Sequence, residues 1–104
     1  MPRAQRRDLQ VRRLPRFIDD LTEAYAYLSE RNPCAGDRLL DVVEATIEML
    51  SAFPELGRPR DDLRTGVRSF KLRRFQHILF YRLDAQEMAL LRLLHGARER
   101  RRNL

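Results

Sequence analysis

The chain has a single cysteine, Cys34, so an internal disulfide is impossible, and one thiol cannot by itself build a metal site. No stretch approaches the roughly eighteen consecutive apolar residues of a membrane-spanning helix. The start, Met-Pro-Arg-Ala-Gln-Arg-Arg, is basic but has no apolar segment behind it, which argues against a secretory signal. No internal repeat occurs, and the only biased tract is the arginine-rich end. Lysine is almost missing: Lys71 stands alone beside twenty arginines. These absences lead to the expectation of a cytoplasmic protein with no structural metal and no cofactor.

At 104 residues, 43% hydrophobic and 35% charged, the composition suits one globular domain with a modest core. The formal charge of +6 is unevenly spread. Residues 17–53 hold eight acidic residues and two arginines, whereas residues 54–94 hold eight arginines, one lysine and five acidic residues. Residues 1–16 and 95–104 are both strongly basic. An acidic helical layer beside a basic remainder predicts an anionic partner on the sheet side, either nucleic acid or an acidic protein segment. Arginine in place of lysine favours planar, two-pronged contacts to carboxylate or phosphate.

The apolar runs Phe75–Leu83 and Met88–Leu94, split by Asp84-Ala-Gln-Glu87, predict a β-hairpin. In the first run Phe75, Leu79, Tyr81 and Leu83 point one way and Ile78 and Phe80 the other, which predicts a central strand covered on both faces. Arg82 and Arg92 interrupt these runs. Each must be paired, reach an edge, or face a binding surface. Upstream, Leu9 and Val11 alternate with Gln10 and Arg12 in a short strand that Pro15 ends. Phe17, Leu21, Ala24 and Leu28 then recur at helical spacing, with Ile18 and Tyr25 widening the stripe. Asn32-Pro33 reads as the cap and first residue of a second helix carrying Leu39, Leu40, Val43, Ile47 and Leu50 on one side. The prolines and glycine of Phe53–Arg60 make a loop, and Val67–Leu72 another strand. The prediction is an α+β fold, β-α-α-β-β-β, with an antiparallel sheet packed by an N-terminal helical hairpin. Residues 1–7 would be a basic arm, 8–98 a single domain and 99–104 an arginine-rich tail.

The Asn-Pro joint, the Phe53-Pro-Glu-Leu-Gly-Arg-Pro turn, Gly66-Val-Arg68, Ile78-Leu-Phe-Tyr-Arg82 and Arg92-Leu-Leu-His-Gly-Ala-Arg98, in this order, together resemble the ParE/RelE superfamily of type II toxin–antitoxin toxins. The likeness spans roughly Leu9 to Arg98. It implies a small toxin neutralised by a cognate antitoxin. RelE-like members of that superfamily cleave mRNA on the ribosome, and ParE-like members poison DNA gyrase.

Metal-free RNA cleavage needs a base for the 2′-hydroxyl, an acid for the leaving oxygen and cations for the phosphate. If this chain is a ribonuclease, Lys71, Arg82, Arg92 and His95 are its candidates. The tyrosine that the RelE pattern places near the C-terminus is missing, because the last one is Tyr81 and only Glu-Arg-Arg-Arg-Asn-Leu follows Arg98. Arginine is a poor proton carrier, which leaves His95 as the one group of suitable pKa. The Leu-His-Gly-Ala-Arg ending is closer to ParE, and the resemblance then implies gyrase poisoning by binding. Ribosome-dependent mRNA cleavage is the alternative, and a non-toxic basic nucleic-acid-binding module is the second.

Target or antitoxin contacts are expected from Arg73, Arg74, Arg82, Arg92 and Arg98. Each candidate also has an ordinary structural role open to it. Arg82 and Arg92 could pair with carboxylates such as Asp61 or Glu87, His95 could hydrogen-bond to backbone, and His77 could simply pack. Cys34 is an incidental small residue. The expected partner is a ParD-like antitoxin, seated as an acidic amphipathic peptide in an apolar groove between the helical hairpin and the sheet, with arginines at its rim.

Overall fold

The structure is a computed structural model and describes residues 9–96. The arm at 1–7, the tail at 99–104 and Arg98 therefore lie outside the described residues. The elements are β1 (Gln10–Arg13), α1 (Pro15–Arg31), α2 (Ala35–Ala52), a 3-10 turn (Pro54–Leu56), β2 (Arg58–Pro59), β3 (Val67–Lys71), β4 (His77–Leu83) and β5 (Glu87–His95).

Pro15 opens α1, where its missing N–H costs nothing and its fixed φ is already helical. The stripe of α1 buries Phe17 and Ala24 fully and Leu21 and Leu28 in part, while Ile18 is left outside it. The joint differs from the expected cap. Asn32 ends α1, and its side chain accepts the Cys34 N–H at 3.0 Å in a local turn, so α2 starts only at Ala35. Leu39, Val43, Ile47 and Leu50 then face the core. Gly36 lets the two helices close on each other, because a Cβ there would collide with Ser29 and the Tyr25 ring.

The sheet runs β1-β5-β4-β3-β2. Pairing is antiparallel except at one edge, where β1 lies parallel to β5. The expected all-antiparallel sheet is thus a mixed one. The helical hairpin is a long crossover that can return the chain in either sense, and the alternation within a short strand carries no information on direction. The stretch read as loop also supplies β2, whose Pro59 is tolerated because the strand sits at the edge.

The helices cover one face of this sheet. Leu72, Leu79, Tyr81, Met88, Leu90 and Leu93 meet Phe17, Leu39, Val43 and Leu50 in the main core. The opposite, outer face has a smaller cluster of Val67, Phe80 and Leu94, closed by Leu63, Ile78 and Leu91. As expected, β4 is central and covered on both faces. The Tyr81 hydroxyl fastens the turn after α2: it donates to the Pro54 carbonyl at 2.7 Å and accepts the Gly57 N–H at 2.9 Å. A Cβ on Gly57 would strike that hydroxyl, so only glycine lets the turn sit this close.

Candidate functional site

The β4–β5 ladder decides where the candidate side chains go. Its register slips between Phe80 and Tyr81, which pair with Arg92 and Leu90, so Leu91 is an extra residue on β5. Beyond Leu90, β1 has ended and the chain has turned into α1. Asp20 of α1 takes over the edge there. Its carboxylate accepts the Leu93 N–H at 3.0 Å and the Arg92 guanidinium at 2.7 and 3.1 Å. The Arg92 and Asp20 side chains keep only 14% and 12% of their surface exposed. The hydrogen bond to Asp20 is the main reason the Arg92 pKa lies above its ordinary value. Arg92 thus pairs internally, though with Asp20 and not with Asp61 or Glu87. Glu87 is bridged by Arg12 at 2.9 Å, across the β1–β5 pair.

Arg82 lies on the outer face, in one row with Val67 and Ala89. It closes no hydrogen bond or ion pair among the described residues. Its charge helps hold the Asp84 carboxyl below the ordinary range, although the N–H groups of Gln86 and Glu87 do most of that. Lys71 shares the outer-face row of Ile78 and Leu94. Its ammonium donates to the Phe75 carbonyl at 2.8 Å, bracing the β3–β4 turn. Arg73 and Arg74 are exposed on that turn, and Arg74 holds a φ of 67°.

His95 stands opposite His77 in register, with the rings edge-on at 5.4 Å. Both line a cavity of about 330 Å³ between α1 and the β5 edge, together with Asp20, Glu23, Ala24, Tyr27, Leu93 and Leu94. An opening between helical hairpin and sheet is therefore present, but among the described residues its charged walls are Asp20 and Glu23 and not arginines. Sequence reasoning expected a groove between hairpin and sheet but not these acidic and histidine walls. The only signal was Asp20, Glu23 and Tyr27 falling on successive turns of one helix.

The four ribonuclease candidates are not brought together. Lys71 pairs with Ile78 and Arg82 lies four residues further along β4, about 13 Å away at roughly 3.3 Å per residue. His95 is on the helix side of the sheet, and Arg92 is tied to Asp20. Tyr81 is buried, both of its hydroxyl hydrogen bonds go to backbone, and burial raises its pKa. Among the described residues no group of three or more His, Cys, Asp or Glu is placed to hold a metal. No helix among them is long and apolar enough to cross a membrane.

A helical hairpin laid on one face of a mostly antiparallel sheet is the architecture that the ParE/RelE resemblance implies for a toxin of that superfamily. The family described as "ParE toxin of type II toxin-antitoxin system, parDE" matches residues 11–100, and the chain belongs to it. Toxin ParE3 of Caulobacter vibrioides is 37% identical over 78 residues, covering 74% of this chain and 76% of that protein. Toxin RelE3 of the same organism is 30% identical over 87 residues, covering 83% and 92%. The fold is also that of a solved chain from the chromosomal ParDE system of P. aeruginosa, with a TM-score of 0.73 at 18% identity and coverage of 85% and 96%.

Proposed function

We propose that this toxin acts by binding DNA gyrase and not by cutting RNA, and that a ParD-like antitoxin neutralises it. The observation that supports this most is the scatter of the candidate groups. Proton transfer in RNA cleavage needs a base within hydrogen-bond reach of the 2′-hydroxyl and cations on the same phosphate. Here the histidine and the strand arginine Arg82 lie on opposite sides of a sheet. The antitoxin follows from membership of the family and from exposed apolar side chains, Ile18 and Tyr27 on α1 and Phe53 and Leu56 after α2, that suit a protein partner.

Expression without antitoxin should cause DNA breaks and filamentation, and the purified protein should trap gyrase-cleaved DNA. The likeness to Toxin RelE3 makes ribosome-dependent cleavage the reading to test against. Primer extension on message from arrested cells separates the two. Discrete cuts that vanish in His95→Ala would overturn the proposal, and intact message together with trapped gyrase complexes would support it.

A further inference from the structure

We infer that the outer face of the sheet is a docking surface for the sugar–phosphate backbone of duplex DNA, separate from the surface that takes protein partners. Two observations carry this. The first is charge that closes no side-chain bond, though Arg82 and Arg58 act at a distance on Asp84 and Asp62. The guanidinium groups of Arg58, Arg64, Arg73, Arg74 and Arg82 close no hydrogen bond or ion pair among the described residues. They lie on β2, on the loop that covers the outer face, on the β3–β4 turn and on β4. From the Arg73-Arg74 turn to Arg82 is a span of about 20–25 Å at roughly 3.3 Å per residue, with Lys71 on the same face between them. That is about six or seven base pairs of B-form duplex, given one phosphate per roughly 3.4 Å on each strand. The carboxylates at this face are partly spent: Glu87 on Arg12, Asp62 on Arg60, and Asp84 on the amides of its own turn. Asp61, on the loop beside them, closes no side-chain bond among the described residues.

The second observation is what the face lacks. A protein interface is anchored by apolar and aromatic side chains that become buried on binding. Here Val67, Phe80 and Leu94 are already 1%, 0% and 4% exposed. The exposed apolar side chains lie elsewhere, with Ile18 at 47%, Tyr27 at 55%, Phe53 at 60% and Leu56 at 53%. A guanidinium-bearing surface without anchors suits phosphates, which are held by charge and two-pronged hydrogen bonds alone. Among the described residues no exposed aromatic ring on it offers a stacking platform for unpaired bases, so duplex is favoured over single strands.

The test is a salt titration with the full chain, reading fluorescence anisotropy of a labelled duplex. Arg73→Gln/Arg74→Gln/Arg82→Gln removes three charges from the proposed surface. Arg16→Gln/Arg31→Gln/Arg38→Gln removes three from the helical layer and leaves the same net charge. Circular dichroism confirms that both variants are folded. The plot of log K against log salt should become shallower by about 2–3 in the first variant, at roughly 0.9 per lost phosphate contact, and stay unchanged in the second. Equal loss in both would show generic attraction by a basic chain and overturn the inference. So would polyglutamate of matched charge competing as well as unlabelled duplex, which would make the face a receptor for acidic protein, or single strands binding as tightly as duplex. Free DNA is the ligand throughout, so the outcome is independent of gyrase trapping and of antitoxin capture.

Discussion

Truncating Arg92 to alanine should cost folding stability and leave partner binding intact. In the parent, two guanidinium–carboxylate hydrogen bonds of 2.7 and 3.1 Å join Arg92 to Asp20, and both side chains are largely shielded from water. Removing one member of a fully buried pair costs about 3–5 kcal/mol, mostly through the charge left behind. Two features lower that figure here. Some surface remains exposed, and Asp20 keeps the Leu93 N–H at 3.0 Å. The loss expected for Arg92→Ala is then about 2 kcal/mol, or about 8–16 °C in Tm at roughly 4–8 °C per kcal/mol for a domain of this size. Asp20→Ala should cost more, about 3 kcal/mol, because it also strips the Leu93 amide of its acceptor at the strand edge. The double variant should fall short of the sum by about 1–2 kcal/mol, the coupling of groups in direct contact. Urea denaturation followed by far-UV circular dichroism measures all three. If Arg92→Ala unfolds within about 0.5 kcal/mol of the parent yet no longer engages antitoxin or target, the pairing is incidental and Arg92 belongs to a binding surface.

Tyr81→Phe removes one oxygen and leaves the Pro54 carbonyl and Gly57 amide unpaired beneath the turn. A loss of about 2–3 kcal/mol in urea unfolding is expected from two buried groups stripped of their partner, with duplex affinity unchanged. The same hydroxyl predicts alkaline sensitivity. Burial raises its pKa above the ordinary 10.0, so its stabilisation is complete below about pH 10 and is lost as pH rises through the folded-state value; Tyr81→Phe should abolish that limb. At the acid end, the hydrogen bonds from Arg13 hold the Glu44 carboxyl below its ordinary 4.5. Its stabilisation is present above that pH and is lost as pH falls through the folded-state value. The pair is mostly exposed, so the acid limb should change by less than about 1 kcal/mol, and Arg13→Gln should flatten it in a melting series between pH 5 and 3.

How far the residues themselves disclosed the fold depends on whether local pattern or long-range register was in question. The stripe of α2 and the two-sided character of β4 follow from periodicity alone, and Leu39, Val43, Ile47, Leu50 and Phe80 lie buried as expected. The parallel docking of β1 did not follow, since Gln10–Arg13 alternates identically in either direction. The candidate site was harder for the same reason. Arg82 and Arg92 looked equivalent, each a lone charge in an apolar strand. One extra residue at Leu91 and the early end of β1 placed Arg92 beside Asp20, seventy-two positions away, and no spacing rule anticipates either event. Arg82 is four residues along β4 from the row of Lys71 and met no such partner. The two arginines therefore divide the work of a small toxin. One holds the Asp20 carboxylate that closes an open sheet edge, and the other closes no side-chain bond on the outer face among the described residues. Exchanging their roles would require moving the bulge, not the charge, so deleting Leu91 should disturb binding and stability together where either arginine variant disturbs only one.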